Sequence, residues 1–179
     1  MFLDKEVFSC VVENTPLISI DLIVFNKNAQ VLLGKRVNEP AFGFWFVPGG
    51  RIFKDESLDV AFTRTVKEEL GIDMKKSDAM FDKTYEHFYD NNVFNNDFST
   101  HYIVLAHKIK VDCFVVPPRN DGEHFVASLN DTQTVTASEA RQSTSPCNNG
   151  EQHSEYKWFD IEELLENDNV HKYTKDYFR

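Results

Sequence analysis

The feature that most constrains this sequence is a run of spaced glycine and charged residues between positions 50 and 72. Its fixed members are Gly50, Glu56, Arg64 and the segment Thr65-Val66-Lys67-Glu68-Glu69-Leu70-Gly71-Ile72. Residues three or four apart share one face of an α-helix, so the spacing predicts a helix that follows Ser57 and ends at Gly71, where glycine suits a left-handed cap. Apolar residues recur along it at helical spacing and would pack on the core: Leu58, Ala61, Phe62, Val66 and Leu70.

The polar residues of this helix fall on two adjacent faces. Arg64 and Glu68 are four positions apart and can pair, while Thr65 and Glu69 share the neighbouring face. The preceding segment, 44–50, is typical of a strand and loop, and it ends in two glycines that let the main chain approach a ligand closely. The sequence therefore predicts a ligand site where this loop meets the helix.

The whole stretch resembles the Nudix box, G-x5-E-x7-R-E-U-x-E-E-x-G-U with U an aliphatic residue, at every fixed position except one. Where the box carries the first glutamate of its metal-binding set, this sequence has Thr65. In an ordinary box the face of Thr65 and Glu69 presents two carboxylates, which suit Mg²⁺ on a diphosphate, whereas here it presents one. The resemblance implies the Nudix fold, an α/β fold arranged as an α/β/α sandwich with a mixed β-sheet.

Length and charge limit the class of protein. At 179 residues the chain suits one domain spanning 1–179. Its formal charge is −10, from 19 basic and 29 acidic side chains, and it contains no basic run, which argues against a nucleic-acid surface. An acidic protein that binds a diphosphate must neutralise it locally, so a metal ion and a few well-placed arginines are expected.

Cysteine usage and hydropathy indicate a chain that works in a reducing compartment. Cys10, Cys113 and Cys147 are odd in number and lack metal-ligand spacing, which favours reduced thiols and a cytoplasmic location. No secretory signal opens the sequence and no apolar run is long enough to span a bilayer, so no membrane partner is expected.

Strand and helix patterns flank the box. Residues 17–26 and 30–36 are apolar runs separated by a polar turn, and they predict a β-hairpin. The other predicted elements are strands at 85–89, 100–106 and 156–159 and a helix at 160–165 with Asp160 as its N-cap.

One segment does not fit this pattern. From about 117 to 150 the chain is rich in Ser, Thr, Asn, Asp and Gln and has little apolar periodicity. Such a composition rarely packs a core, so it predicts a mobile insertion in which 125–127 docks weakly. The insertion ends near His153, so it is expected to affect the closure of the loop that carries this residue. A change in that closure would alter the reaction rate or the choice of substrate.

A closer resemblance is carried by residues spread over nearly the whole chain outside the insertion. They are 1–3, Phe8, 15–21, 33–36, 45–51, 87–90, 97–98, 100–102, 151–153 and 168–171. This set is similar to the GDP-mannose mannosyl hydrolase family, which has a degenerate Nudix box, so the replacement at Thr65 supports the assignment. The resemblance also implies a homodimer in which Phe8 stacks on the guanine across the interface, although an aromatic residue near the N-terminus also fits simple packing.

The closer resemblance implies a change of chemistry. Most Nudix hydrolases attack phosphorus and split a diphosphate, whereas this family directs water at the anomeric carbon of the sugar, inverts that centre and releases GDP. Cleavage of the sugar C–O bond needs a good leaving group and a base for the water. Mg²⁺, or Mn²⁺ in its place, would spread charge on the departing diphosphate. The expected substrate is GDP-mannose, with GDP-glucose as a second one.

The same resemblance implies a metal site and a base. The expected metal ligands are the Gly49 carbonyl, Glu69 and the Gln152 side chain, all of them oxygen donors suited to Mg²⁺. His153 matches the general base of the family, carried by a mobile loop, and an imidazole suits deprotonation of water near neutral pH. Judged from its own sequence surroundings, His153 also fits a solvated loop histidine.

Other residues are implied for the substrate. Arg36 and Arg51 would bridge phosphate oxygens and stabilise the leaving group as catalytic residues. Asp21 is likewise assigned to catalysis, near the sugar and the metal, and a carboxylate inside an apolar strand needs such a reason because its burial is costly. His87 and Tyr102 are expected to contact the diphosphate or the sugar, although both equally fit half-buried strand residues.

Two other functions stay open from the sequence. One is a Nudix pyrophosphohydrolase that cuts a P–O bond with Glu68 and Glu69 despite Thr65. The other is a Nudix-fold binding or regulatory protein without turnover, which would bind a nucleotide sugar tightly and release no product. The full set of arginine, glutamate and histidine candidates argues against the latter.

Overall fold

A computed structural model describes residues 3–95, 97–111 and 152–179 of this chain and short strands at 114–115, 126–127 and 135–136. The elements are α1 (Lys5–Asn14), β1 (Leu17–Phe25), β2 (Val31–Arg36), β3 (Trp45–Phe46), β4 (Gly49–Arg51), α2 (Leu58–Leu70), a 3₁₀ turn (Lys76–Asp78), β5 (Met80–Tyr89), β6 (Thr100–Lys110), β7 (Phe114–Val115), β8 (Val126–Ala127), β9 (Val135–Thr136), β10 (His153–Phe159), α3 (Ile161–Glu166) and α4 (Lys172–Asp176).

The apolar run of β1 places this strand at the centre of the sheet. Apart from Ile18 and Phe25 its residues are buried, as expected for a strand with neighbours on both sides and helices on both faces. Within the described residues the main sheet has eight strands in the order β5-β6-β1-β2-β10-β9, with β3 beside β2 and β4 beside β1. β1 runs parallel to β6 and antiparallel to β2 and β4. The predicted mixed sheet and the predicted hairpin are both confirmed.

Helices cover both faces of this sheet. On one face α2 buries Phe62 and Val66 in a cluster with Leu22 of β1. On the other face Leu164 of α3 packs in a second cluster with Ile23. Successive side chains of a strand point to opposite faces, so Leu22 and Ile23 belong to different layers. This arrangement is the predicted α/β/α sandwich.

The bounds of α2 follow from local sequence, as predicted. Ser57 is the N-cap, and its hydroxyl accepts a hydrogen bond from the Val60 N–H at 3.3 Å. Gly71 ends the helix with φ at 71°, a left-handed conformation that glycine adopts without steric cost. These caps fix where α2 begins and ends, and therefore where the box side chains of the helix lie relative to β1.

Some elements differ from the sequence-based expectation. β5 begins before the predicted 85–89, β6 extends beyond the predicted 100–106, and β10 starts at His153 instead of residue 156. The sequence analysis did not predict α1, in which only Val12 is buried, although its apolar residues Val7, Phe8, Val11 and Val12 recur at helical spacing. Asp160 is the N-cap of α3, but its side chain makes no capping hydrogen bond.

Three further expectations concern particular segments. The predicted insertion at about 117–150 lies outside the described residues except for β8 and β9, which pair with β7 and β10 respectively. Cys10 is exposed and free, while Cys113 and Cys147 lie outside the described residues. None of the helices in the described ranges has the length and apolar character needed to cross a bilayer.

Candidate active site

A pocket of about 160 Å³ opens on the sheet around the middle of β1. Most of the residues predicted for the site line this pocket: Asp21, Arg36, Gly49, Arg51, His87, Tyr102 and Gln152. The other predicted residues, Phe8, Glu69 and His153, lie outside the lining.

Sheet register brings these distant residues together. Asp21 of β1 pairs with Gly49 of β4, and His87 of β5 pairs with Tyr102 of β6. Arg36 is the last residue of β2, where β2 meets the start of β10. Because β1 lies between these partners, side chains from separate parts of the chain reach one pocket.

Gln152 links the pocket to the box helix. Its Oε1 accepts a hydrogen bond from Arg36 Nη1 at 3.1 Å, and its Nε2 donates to Glu69 Oε1 at 3.3 Å. The other oxygen of Glu69, Oε2, is buried and accepts no hydrogen bond within the described residues. The Nδ1 atom of His153 lies 3.5 Å from this oxygen. A buried carboxylate oxygen without a hydrogen bond is costly, so it suits a cation ligand.

By their chemistry the predicted metal ligands would fit a hard divalent cation such as Mg²⁺. No group of three or more His, Cys, Asp or Glu side chains within the described residues could hold a metal ion. A cation here would therefore depend on the carboxylate of Glu69 and on two predicted neutral donors, the Gln152 side-chain oxygen and the Gly49 carbonyl. All three are oxygen donors, which Mg²⁺ prefers. In the structure Gln152 Oε1 faces Arg36 and its Nε2 faces Glu69, so the amide group would have to turn to offer its oxygen beside Glu69.

His153 is placed in a strand, where the resemblance implied a mobile loop. As the first residue of β10 its side chain is 1% exposed, and its Nδ1 lies 3.1 Å from the Tyr156 hydroxyl. Gly34 of β2 leaves room for the ring, because a Cβ at that position would lie 2.5 Å from the imidazole. The Nε2 atom is buried and has no hydrogen-bond partner in the described part of the chain.

Arg64 engages two glutamates of the box. Its guanidinium donates to both oxygens of Glu56, at 2.7 and 2.9 Å, and to Glu68 Oε2 at 2.8 Å. It also donates to the Arg51 carbonyl at 2.9 Å. The hydrogen bonds between Arg64 and Glu56 raise the pKa of the guanidinium and lower the pKa of the carboxyl. Arg64, paired with Glu56 and Glu68, therefore holds the Arg51 carbonyl at the end of β4, while Glu69 has no arginine partner within the described residues.

Thr65 occupies the position of the missing box carboxylate. The residue is 1% exposed, and its Oγ1 has no hydrogen-bond partner in the described ranges. A Cβ on Gly50 would lie 3.2 Å from this oxygen, so Thr65 packs directly beneath the glycine loop. This face of α2 thus presents one carboxylate, that of Glu69, as the sequence indicated.

Asp21 has a partner that sequence reasoning missed. The residue is 7% exposed, and its Oδ2 accepts a hydrogen bond from the Tyr177 hydroxyl at 2.6 Å. Burial raises the pKa of Asp21 from 3.8 to about 7, against the opposing effects of the Tyr177 hydrogen bond and the Arg36 charge. Tyr177 follows α4 near the end of the chain. Its only sequence signal is an aromatic residue in a short C-terminal helical segment, which points equally to core packing.

Replacing Asp21 by asparagine is expected to stabilise the metal-free protein at alkaline pH. The folded pKa of about 7 lies above the ordinary 3.8, so between these values the folded state keeps a proton that the unfolded chain has lost. Stability therefore falls as pH rises through this window, by on the order of 4 kcal/mol once Asp21 is ionised. Urea unfolding in EDTA should show that the stability of Asp21→Asn relative to wild type rises from about pH 4 to about pH 7 and then levels off. Asp168→Asn is the control, because the carboxyl group of Asp168 is exposed. A difference in unfolding free energy between Asp21→Asn and wild type that did not change with pH would contradict the expectation.

Aromatic side chains and Arg51 form much of the remaining wall. His87 stacks on Tyr173 with ring centres 4.1 Å apart, and burial lowers the pKa of His87 to about 3, so its ring is neutral at physiological pH. Burial also raises the pKa of Tyr102 and lowers that of Arg51. The Arg51 guanidinium lies 4.1 Å over the ring of Phe8. One face of the ring expected to stack on guanine is therefore covered by Arg51 within this chain.

Gly49 is expected to tolerate no side chain. A Cβ there would lie 2.7 Å from the Ile20 carbonyl oxygen and 2.8 Å from Asp21 Oδ1. β1 would have to move to remove these close contacts, so Gly49→Ala should lower the free energy of unfolding by about 1–3 kcal/mol. Gly50→Ala is the matched control, because its Cβ would approach only the Thr65 side chain, at 3.2 Å. Urea unfolding of both variants measures the difference, and equal losses would contradict this account.

Comparisons with known proteins agree with this architecture. The chain matches the NUDIX domain family over residues 15–178. It is 22% identical to the MutT protein of Methanosarcina mazei, with a TM-score of 0.54 and 92% of each chain covered. It is 20% identical to the MutT NUDIX hydrolase of Burkholderia pseudomallei, with a TM-score of 0.57 and coverage of 92% of this chain and 96% of that one. At these identities the likeness concerns the fold alone, and it confirms the predicted fold.

Two curated proteins are similar over part of the chain. The low-salt glycan biosynthesis protein Agl8 of Haloferax volcanii is 43% identical over 105 residues, which cover 59% of this chain and 65% of Agl8. The 8-oxo-dGDP phosphatase NUDT18 of Danio rerio is 35% identical over 54 residues, which cover 30% of this chain and 17% of that protein. The matched regions thus span less than two thirds of either relative.

Proposed function

This chain belongs to the Nudix family, and on that premise we propose that it hydrolyses GDP-mannose, with GDP-glucose as a second substrate, to GDP and the free sugar. Water attacks the anomeric carbon with inversion, and the bond between that carbon and the phosphate oxygen breaks. The observation that carries the proposal is the state of the box glutamates. Arg64 pairs with Glu56 and Glu68, so of these described side chains Glu69 alone is left for a cation. One acid suits a cation on the diphosphate and offers little to activate water beside phosphorus.

The pocket supplies positive charge for the departing GDP. Arg36 and Arg51 both line it, and guanidinium groups bind phosphate oxygens through paired hydrogen bonds. Nudix hydrolases generally use a divalent metal ion. We propose Mg²⁺, or Mn²⁺ in its place, held by the Gly49 carbonyl, Glu69 and Gln152. When bound, it would spread negative charge on the leaving diphosphate.

The remaining roles concern the sugar and the attacking water. Asp21 lines the pocket, where its carboxylate would stabilise positive charge that develops on the anomeric carbon. His87 and Tyr102 would contact the sugar or the diphosphate from the adjacent strands β5 and β6. We propose His153 as the base that takes the proton from water, and its place 3.5 Å from Glu69 Oε2 puts it beside the proposed metal ligands.

The name of one relative supports a nucleotide-sugar substrate. Agl8 is described as a glycan biosynthesis protein, and glycans are assembled from activated sugars. The relative therefore favours an enzyme that acts on a sugar donor over one that acts on a simple nucleoside triphosphate.

We also propose a homodimer in which Phe8 contributes to the guanine site of the partner. Support comes from α1, which carries Phe8 and buries only Val12 within the chain, so that much of its surface is available to a second copy. Analytical ultracentrifugation tests this, and a monomer at assay concentrations would contradict it.

The bond that breaks is the decisive test of the proposed function. Wild-type enzyme, Mg²⁺ and GDP-mannose in ¹⁸O-water should give GDP and mannose with the label on the sugar. Release of GMP and mannose 1-phosphate with label on phosphate would identify a pyrophosphohydrolase instead. Tight binding of GDP-mannose without any product would identify a binding protein. The anomeric configuration of the first-formed mannose, read by NMR, tests inversion.

A further inference from the structure

Tyr177 is the residue through which the C-terminal segment reaches the pocket. It is 5% exposed, its hydroxyl donates to Asp21 Oδ2 at 2.6 Å, and the same hydroxyl lies 3.3 Å from Nε2 of His87. Asp21 and His87 line the pocket, whereas Tyr177 does not. Tyr177 therefore contacts two pocket residues from outside the pocket lining.

The two oxygens of Asp21 have different surroundings. Oδ2 is held by the Tyr177 hydroxyl, and Oδ1 lies against Gly49, where a Cβ would come within 2.8 Å of it. Gly49 itself lines the pocket. Rotation of the carboxyl group out of its present plane would break the short hydrogen bond to Tyr177. The hydroxyl therefore fixes the plane of the carboxyl group, with one oxygen on Tyr177 and the other beside Gly49.

Tyr177 is itself firmly placed. Its ring packs edge-on against Tyr85 with centres 4.6 Å apart. Four residues earlier, Tyr173 stacks on His87, and its hydroxyl both accepts from the Phe88 N–H at 2.6 Å and donates to the Phe88 carbonyl at 2.7 Å. Contacts to β5 thus hold both ends of this short segment, so the hydroxyl has little freedom to leave Asp21.

We infer that Tyr177 is a positioning residue for hydrolysis, whose hydroxyl holds the carboxyl group of Asp21 in the orientation that acts on the bound sugar. Tyr177 touches no part of the substrate and works through Asp21. The inference rests on the proposed function for the nature of the substrate. It does not depend on which bond breaks, because Asp21 faces any nucleotide sugar that enters this pocket.

A double-mutant cycle of Tyr177→Phe and Asp21→Ala tests the inference, with Tyr85→Phe as a matched control. The Tyr85 hydroxyl also donates to a carboxylate, that of Asp82 at 2.8 Å, but neither residue lines the pocket. Steady-state kinetics with GDP-mannose and Mg²⁺ would be measured for wild type, each single variant and the double variant. Thermal unfolding would establish that each protein is folded at the assay temperature.

Tyr177→Phe should lower kcat by about 10- to 100-fold, the cost of losing a hydrogen bond to a charged group, and leave KM nearly unchanged. Tyr85→Phe should keep the wild-type kcat. With Asp21→Ala already present, Tyr177→Phe should lower kcat no further, because no carboxyl group remains to be positioned. An equal loss in both backgrounds, or the same loss in Tyr85→Phe, would overturn the inference. A Tyr177→Phe chain that fails to fold would assign Tyr177 a structural role and overturn it as well.

The products separate this inference from the proposed function. If wild type gives GMP and mannose 1-phosphate, the proposed function fails, and the cycle measured on that reaction still decides the role of Tyr177. If wild type gives GDP and mannose but the two substitutions act additively, the proposed function stands and the inference about Tyr177 fails. If wild type turns over no GDP-sugar, both fail.

Discussion

Glu69→Gln should lose at least about 100-fold in kcat at saturating Mg²⁺, because even groups that only orient a metal ligand contribute 10- to 100-fold. The substitution keeps the shape of the side chain and its contact with Gln152, and it removes the charge of the one box carboxylate that has no arginine partner among the described residues. The Mg²⁺ concentration for half-maximal rate should rise as well. Initial rates over a range of Mg²⁺ concentrations measure both effects.

The adjacent residue supplies the control for this experiment. Glu68→Gln makes the same change of charge one position away, on a side chain that is 49% exposed and pairs with Arg64. We expect it to keep the Mg²⁺ dependence of wild type and to cost at most a modest amount of stability, since a surface ion pair contributes about 0–1 kcal/mol. Near-normal activity of Glu69→Gln would remove Glu69 from the metal site. An altered Mg²⁺ dependence of Glu68→Gln would support the alternative hypothesis of a pyrophosphohydrolase that uses both Glu68 and Glu69.

His153→Ala should lower kcat by about 10²- to 10⁴-fold, the usual contribution of a general base. A base accepts a proton only when it is unprotonated, so the wild-type rate should fall as pH drops below the pKa of that base. The variant should lose the part of the acidic limb of the kcat profile that His153 causes, while a part caused by Asp21 should remain, because its carboxylate also acts and burial raises its pKa to about 7. Rates across the acidic and neutral range, with folding checked at each pH, measure the effect.

A second buried histidine makes a matched control. His107 is 2% exposed and packs between Phe62 and Phe81, and it does not line the pocket. His107→Ala should therefore keep the acidic limb even if the protein becomes less stable. If the pH profile of His153→Ala is the same as that of wild type, the base is another group. Asp21 would then be the first candidate, because it lines the pocket and burial raises its pKa to about 7.

The box helix was predictable because its determinants are local. Ser57 as the cap, the apolar stripe and the left-handed Gly71 lie within one helix length of each other, and the structure has α2 at Leu58–Leu70. The β1–β2 hairpin follows from a similarly short pattern. By contrast, α1 was not predicted, although its apolar residues Val7, Phe8, Val11 and Val12 recur at helical spacing.

The use of each polar group in the site depended on contacts that the local pattern does not contain. Spacing alone allowed Glu68 either to pair with Arg64 or to bind a metal, and the position of Glu56, eight residues from Arg64, completes the arginine network. His153 was expected in a loop, but it is the first residue of β10, because its pairing with Arg36 of β2 extends the strand to that point.

By itself the sequence determined the family and the single carboxylate on one face of the box helix, because motif spacing is encoded over short distances. The residues expected in the pocket were implied by the closer resemblance and not by spacing. Only the tertiary structure decided how those residues are held. The hydrogen bond from Tyr177 to Asp21 joins positions 156 residues apart, and it exists because α4 packs on the face of the sheet beneath the pocket. A contact of that separation leaves no periodic trace in the chain, since it depends on how the layers pack and not on any local preference.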